Sequence, residues 1–162
     1  MLNTGVSAPD FEIIGTDGDE IRQYSLADLT ESGAAVLLFY PFDFSPVCTA
    51  ELCEFRDSEW LTVTPELDVV GISTDSTYSH RVFIERNDLP FPLLSDHDGS
   101  VSDAYDVLED ELEEHPQVSS RAVFLVDEEL TIRYAWEAEV YTDDPDIDAV
   151  NEAAQELSAV GL

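Results

Sequence analysis

An unbroken run of apolar residues at positions 34–40, AAVLLFY, constrains the fold of this chain more than any other segment. The run has the length of a β-strand and lacks alternating polar residues, which is typical of a strand buried on both faces. Pro41 ends it. Residues 67–73, LDVVGIS, repeat the pattern, so the sequence predicts a second buried strand in a sheet that is covered on both faces.

Segments with helical patterning alternate with these strands. Residues 76–87 predict a helix that Ser76 caps and that turns Val82 and Phe83 inward. Other helices are predicted to begin at Cys48, to lie around residues 101–105 and to cover residues 147–159.

Turn residues indicate two hairpins. Asp17-Gly18-Asp19 lies between short apolar segments near the N-terminus, and residues 127–129 separate the apolar segments 122–126 and 131–135. Residues 91–95 add a short strand. This order predicts one α/β domain over residues 1–162, with a central mixed β-sheet flanked by helices and an N-terminal β-hairpin.

The charge of the chain excludes two classes of partner. Six basic residues face 37 acidic ones, so the formal net charge is −31, and all six bases are arginine. A surface this negative repels phosphate backbones and anionic lipid, so we expect neither nucleic-acid binding nor membrane docking. With 162 residues the chain is long enough to bury a core without disulfides or metal.

Such an acidic chain is best suited to concentrated salt. At molar ionic strength the screening length is roughly 3 Å, which removes most of the repulsion between carboxylates. The composition therefore resembles that of proteins from salt-accumulating halophilic microbes. A secreted acidic protein and a binder of divalent cations are the alternatives.

Signals for export or membrane insertion are not evident in the sequence. The first residues, MLNTG, lack a basic start and an apolar core, and the longest apolar run, residues 34–42, is about half of what a bilayer span requires. Two cysteines without an export signal are typical of the reducing cytoplasm, where thiols are more often reactive than structural. We therefore expect a cytoplasmic protein.

Cys48 occupies the most informative position in the chain. It follows a buried strand and a loop bracketed by Pro41 and Pro46, at the predicted start of a helix. A helix N-terminus carries partial positive charge and free N–H donors, which stabilise a thiolate. The negative field of the chain opposes this effect, so a reactive Cys48 also requires a nearby arginine.

The pattern Pro41-x3-Ser45-x2-Cys48 resembles the active-site signature of the peroxiredoxins, Pro-x3-Thr/Ser-x2-Cys. Three more segments are similar to that family and occur in its order: APDF at 8–11, FPLLSD at 91–96 with Ala104-Tyr105 after it, and SRAVFLVD at 120–127. The resemblance covers roughly residues 5–140. It implies a thioredoxin-like fold and a thiol peroxidase that reduces hydrogen peroxide or organic hydroperoxides.

The resemblance also implies a role for each matching residue. Cys48 would be the peroxidatic cysteine, which a peroxide oxidises to a sulfenic acid. Arg121 would stabilise the thiolate and the leaving oxygen, and Glu51 would orient Arg121. Ser45 would hydrogen-bond the peroxide and the thiolate, with a less fixed rotamer than the more usual threonine. Pro41 would shield the sulfur, and no metal or organic cofactor is required.

Simpler interpretations of the same residues remain open. Ser45 could be only a helix cap, Pro41 a strand terminator, Glu51 a carboxylate favoured by the helix dipole, and Arg121 a surface ion-pair partner. The three histidines show no metal-ligand spacing and are expected to be solvated or locally hydrogen-bonded: His80, His97 and His115.

Cys53 decides how the sulfenic acid would be resolved. It lies five positions after Cys48, the spacing of a resolving cysteine in the Q-type, or bacterioferritin-comigratory, branch, whose disulfide a thioredoxin-like protein reduces. Five helical residues separate two side chains by about 140° and roughly 7.5 Å of rise, so a disulfide requires the helix to unwind. The alternative is an AhpE-like one-cysteine mechanism with an external thiol and a packing role for Cys53.

Other function classes fit the sequence less well. A thioredoxin-like disulfide oxidoreductase or redox sensor is disfavoured because four residues, not two, separate the cysteines. An acidic binding protein would depend on residues 143–148, which lack the spacing of a calcium loop and are more simply an acidic helix start. Peroxiredoxins commonly dimerise, so a homodimer is also implied, although no apolar patch in the sequence identifies an interface.

Overall fold

The computed structural model of the protein describes residues 1–59, 61, 64 and 66–159. The strands are β1 (Glu12–Thr16), β2 (Ile21–Ser25), β3 (Ala34–Phe39), β4 (Leu67–Ser73), β5 (Leu93–Ser95), β6 (Leu108–Leu112), β7 (His115–Ser119), β8 (Ala122–Val126) and β9 (Ile132–Glu137). The helices whose bounds the structure describes are α1 (Leu26–Leu29), α2 (Pro46–Arg56), α3 (Thr77–Asn87), α4 (Ser100–Ala104) and α5 (Ile147–Ala159).

A mixed sheet lies at the centre of the fold. Its order within the described residues is β2-β1-β5-β4-β3-β8-β9, and β6 and β7 form a separate two-stranded sheet. Strand β3 runs parallel to β4 and antiparallel to β8, and β5 runs parallel to β4 and antiparallel to β1, so the pairing changes direction at both strands. The predicted mixed α/β architecture is confirmed.

Strand β3 joins the two halves of the core. All six of its residues are buried, and successive side chains point to opposite faces of the sheet. Val36 and Leu38 belong to the cluster that includes Cys48 of α2, and Leu37 and Phe39 belong to the cluster on the other face. Burying each of these large side chains contributes about 1.5–3 kcal/mol, which explains why the run contains no polar residue.

The hairpins and the last helix follow the predictions. The β1–β2 turn contains Gly18, whose φ of 104° is readily accessible to glycine. Strands β8 and β9 pair antiparallel across residues 127–131. Helix α5 begins at Ile147 as expected, and Asp146 Oδ1 accepts hydrogen bonds from the backbone N–H groups of Asp148 and Ala149, so the acidic run is a helix start.

Helix α3 confirms one prediction and corrects another. Ser76 Oγ accepts a hydrogen bond from the backbone N–H of Ser79, as a capping residue does. Phe83 is buried, but Val82 is 39% exposed, so its inward assignment is wrong. The inward face is instead set by the helical spacing of Thr77, His80 and Phe83.

The β6–β7 hairpin was not predicted. Its first strand, LEDEL, is acidic and largely exposed, and its turn places Glu113 and Glu114 at positive φ without a glycine or asparagine. The segment therefore lacks both the apolar residues that indicate a strand and the turn residues that indicate a hairpin. None of the described helices combines the length and the apolar character that crossing a membrane requires.

Candidate active site

Helix α2 follows the fully buried strand β3. The β3–α2 loop (residues 40–45) leads to Ser45 at the N-cap and Pro46 at the first helical position, where a missing N–H costs nothing. The helix therefore begins two residues before the predicted start at Cys48. Cys48 lies in its first turn and has 0% of its surface exposed.

The sheet brings Arg121 to Cys48. Ala122 of β8 pairs with Phe39 of β3, so Arg121 sits beside the end of β3, where α2 begins. Its Nη2 donates a hydrogen bond to Cys48 Sγ at 3.3 Å. Arg121 is only 2% exposed, so its predicted alternative as a surface ion-pair partner is wrong.

Glu51 holds the other side of the guanidinium. Arg121 Nη1 donates to Glu51 Oε2 at 3.2 Å, and both side chains are buried. Burial raises the pKa of Glu51 to about 7, against the opposing effect of Arg121. Burial also opposes the charge on Arg121, but Glu51 and Cys48 keep the pKa of Arg121 above its ordinary value.

Two polar atoms in this cluster are unsatisfied. Within the described part of the chain, Glu51 Oε1 and Arg121 Nε are buried and have no hydrogen-bond partner. The Nε–H of the guanidinium is therefore available to donate a hydrogen bond to a bound oxygen.

Ser45 is engaged with a residue far along the chain. Its side chain makes no helix-capping hydrogen bond, so its interpretation as a mere cap is wrong. Its Oγ instead forms a hydrogen bond with the hydroxyl of Tyr141, 96 residues away in the sequence. Tyr141 lies in the β9–α5 segment (residues 138–146), beyond the residues that resemble the family signature.

Tyr141 also contacts Arg121. Its backbone oxygen accepts a hydrogen bond from Arg121 Nη2 at 3.4 Å, and Arg121 Cζ lies 5.5 Å from the centre of its ring. The sequence offers no signal for this residue, because a single aromatic side chain in an acidic irregular segment has no pattern that marks it.

A cavity of about 180 Å³ opens beside the cluster. Pro41, Arg121 and Tyr141 form part of its wall, and Glu109, Leu112 and Glu139 line it as well. Cys48 does not line it, so a molecule in the cavity meets Arg121 and Tyr141 before the sulfur. A larger cavity of about 460 Å³ beside β2 shares no lining residue with this site.

Cys53 is turned away from this cluster. It is a half-buried free thiol on the second turn of α2, and it donates to Asn87 Oδ1 on α3 at 3.8 Å. Cys48 is free as well. Because α2 is continuous from Pro46 to Arg56, the sulfurs could join only after the helix unwinds.

His80 is part of a buried network, so its prediction as a solvated or locally bonded residue is wrong. It is 0% exposed, with Nδ1 2.8 Å from Asp43 Oδ2 and Nε2 3.0 Å from the oxygen of Leu94. Tyr40 and Ser79 donate to the same carboxylate at 2.6 and 2.8 Å. The network attaches the β3–α2 loop to α3.

The other two histidines behave as expected. His97 is exposed, and the Nδ1 of exposed His115 hydrogen-bonds the nearby oxygen of Glu113. Within the described ranges, no group of three or more His, Cys, Asp or Glu side chains is arranged to hold a metal ion.

Comparison with known proteins shows the family. Residues 4–135 match the model of the AhpC/TSA family. The chain is 34% identical to peroxiredoxin Bcp of Bacillus subtilis over 137 residues, which cover 83% of this chain and 85% of the relative. It is 36% identical to a putative Bcp peroxiredoxin of Coxiella burnetii, covering 83% and 88%.

A solved structure agrees with these relatives. The fold superposes on the crystal structure of peroxidoxin BcpB from Mycobacterium tuberculosis with a TM-score of 0.80 and 29% identity, and the whole of both chains is covered. The chain therefore belongs to the AhpC/TSA family and is a peroxiredoxin, a thiol-dependent peroxidase.

Proposed function

We propose that the whole chain is one peroxiredoxin domain in which Cys48 is the peroxidatic cysteine. The observation that carries this assignment is the 3.3 Å hydrogen bond from Arg121 Nη2 to Cys48 Sγ in the first turn of α2. In a chain of net charge −31, this buried cation and the helix N-terminus are the local features that favour a thiolate.

The proposed reaction transfers one oxygen atom to sulfur. The Cys48 thiolate attacks the nearer oxygen of the peroxide, an S–O bond forms and the O–O bond breaks. Sulfur supplies the two electrons and becomes a sulfenic acid, and the other oxygen takes a proton and leaves as water or an alcohol. Arg121 stabilises the thiolate before the attack and the leaving oxygen during it.

Hydrogen peroxide and small organic hydroperoxides are the proposed substrates. The 180 Å³ cavity beside Pro41, Arg121 and Tyr141 has room for them. Because Cys48 has no exposed surface, the side chains between the cavity and the sulfur must move to admit the peroxide. Pro41 would then limit water at the sulfur, and Ser45 would hydrogen-bond the bound peroxide.

We propose Cys53 as the resolving thiol, with an external thiol as the alternative. Attack of the Cys53 thiol on the sulfenic acid forms a disulfide and releases water, and a thioredoxin-like dithiol then reduces that disulfide. The step requires the first turns of α2 to open, which costs little at a helix end. Mass spectrometry after one equivalent of peroxide distinguishes an internal disulfide from a persistent sulfenic acid.

A homodimer and a cytoplasmic location complete the proposal. The exposed apolar side chains Phe44, Tyr78 and Val82 lie on or next to α3 and support an interface there. Light scattering of the purified chain in molar KCl tests the oligomeric state. Both cysteines lie on one continuous helix, which prevents their pairing while it is folded, and this supports a reducing compartment.

Peroxide turnover with a thioredoxin or dithiol reductant in molar KCl tests the function. We expect Cys48→Ser to abolish turnover while circular dichroism shows an intact fold. Cys53→Ser separates the two steps, because it should still consume one equivalent of peroxide by oxidation at Cys48, whereas Cys48→Ser should consume none. Turnover by folded Cys48→Ser at the wild-type rate would overturn the assignment.

A further inference from the structure

We propose that Tyr141 is a positioning residue of the peroxidase site, which fixes the hydroxyl of Ser45 and the guanidinium of Arg121 relative to Cys48. The inference rests on the proposed function of Cys48. It concerns a residue outside the signature, in the β9–α5 segment.

Three separate contacts connect Tyr141 to the site. Its hydroxyl is hydrogen-bonded to Ser45 Oγ, its backbone oxygen accepts from Arg121 Nη2, and its ring lies against the guanidinium. The same Nη2 donates to the sulfur of Cys48. One side chain and its own carbonyl therefore touch both of the groups that are assigned to the peroxide.

Ser45 needs such a partner more than a threonine would. Serine lacks the γ-methyl group that restricts χ1, so its hydroxyl can occupy several staggered positions. A capping hydrogen bond would have fixed it, but Ser45 makes none. The hydroxyl of Tyr141 is thus the contact that selects the orientation of Ser45 Oγ.

Either hydroxyl can donate in the bond between Tyr141 and Ser45, and donation by Tyr141 suits the chemistry. Burial raises the pKa of Tyr141, so its phenol remains protonated and can donate at neutral pH. When Tyr141 donates to Ser45, the proton of the Ser45 hydroxyl is free to reach the thiolate or a peroxide oxygen.

Carboxylates other than Glu51 also lie around the cavity beside Arg121. Glu109 and Glu139 line the same cavity wall as Arg121. The ring and carbonyl of Tyr141 lie against the guanidinium on one side, and Glu51 holds it on the other. Together they keep the guanidinium directed at the sulfur.

The β9–α5 segment is itself attached to the site. The backbone N–H of Ala138 donates to the oxygen of Arg121 at 2.8 Å. Asp143 Oδ2 accepts from the backbone N–H groups of Glu139 and Val140 at 3.0 and 3.2 Å. These bonds hold Tyr141 in place without using its side chain.

Tyr141→Phe tests the role, because it removes only the hydroxyl. The measurement is the rate of Cys48 oxidation by one equivalent of hydrogen peroxide, followed by rapid quenching and mass spectrometry, so no reductant is involved. Loss of one positioning hydrogen bond should slow the reaction by about tenfold. Tyr24→Phe is the matched control, because Tyr24 lies on β2, at the opposite edge of the sheet from β8, and it should react at the wild-type rate.

A double-mutant cycle separates positioning from a structural role. If Tyr141 acts by fixing Ser45, Tyr141→Phe should cost much less in a Ser45→Thr background, where the methyl group restricts the rotamer. An equal cost in both backgrounds, or a wild-type rate for Tyr141→Phe, would overturn the inference. Tyr141→Leu, which also removes the ring packed on Arg121, provides a second variant and should be slower than Tyr141→Phe.

The inference and the proposed function fail in different ways. If the wild-type protein is not oxidised at Cys48, the proposed function fails and the inference fails with it. If the wild-type protein reacts and the Tyr141 variants react equally fast, only the inference fails.

Discussion

Arg121 donates hydrogen bonds to two buried acidic side chains. Its Nη1 contacts Glu51 and its Nη2 contacts Cys48. The resemblance to the peroxiredoxins implied that these three residues meet, and the structure brings them together because α2 and β8 both begin near the end of β3. The resemblance did not predict Tyr141, whose position depends on an irregular segment 96 residues from Ser45.

The buried carboxyl of Glu51 should make stability depend on pH. Burial raises the pKa of Glu51 from 4.5 to about 7 in the folded chain. Between these values the folded state holds a proton that the unfolded state releases, so the free energy of unfolding falls as pH rises. The contribution is fully present below pH 4.5 and is lost as pH rises through about 7, with a total near 3 kcal/mol.

Glu51→Gln isolates this effect. Denaturant unfolding of both proteins between pH 4 and about 8 should show that the stability of the wild type relative to the variant declines across that window. A constant difference between the two proteins would contradict the raised pKa of Glu51. Other acidic groups are common to both proteins and cancel in the comparison.

At the scale of elements, a buried hydrogen-bond network attaches the β3–α2 loop to α3. His80 and Asp43 are buried partners, and Tyr40 and Ser79 donate to the same carboxylate. The sequence did not reveal this network, because its partners are 37 and 14 residues from His80 and show no local pattern. The central strands were predicted because their continuous apolar residues require burial on both faces, whereas exposed β6 has no such requirement.

Removing His80 should therefore destabilise the fold. His80→Ala leaves Asp43 buried without one of its partners, and we expect the free energy of unfolding to fall by about 3 kcal/mol or more. His97→Ala, at an exposed position, should change it by less than about 0.5 kcal/mol. Urea denaturation measures both, and equal effects of the two substitutions would rule out a supporting role for the network.

At the scale of the whole molecule, charge dominates. Because 37 acidic residues are balanced by only six arginines, the carboxylates of the folded chain repel one another strongly. The sequence shows this repulsion directly, because net charge does not depend on the fold. Halophilic origin remains a prediction from composition.

Salt should stabilise the protein steeply. We expect Tm to rise with KCl concentration, by about 2–4 °C for each kcal/mol of repulsion that is screened in a chain of this size. Sucrose is the control, since it favours the compact state without screening charge. A flat response of Tm to KCl would contradict adaptation to concentrated salt.

The rate at which peroxide oxidises Cys48 in Arg121→Lys is the most direct test of the whole account. Lysine keeps the positive charge but lacks the planar fork that contacts both Glu51 and the sulfur. We predict a rate about 100-fold below that of the wild type. The control Arg133→Lys alters a half-exposed partner of Asp127 and should leave the rate unchanged. A folded Arg121→Lys variant that reacts as fast as the wild type would show that the guanidinium does not activate the sulfur.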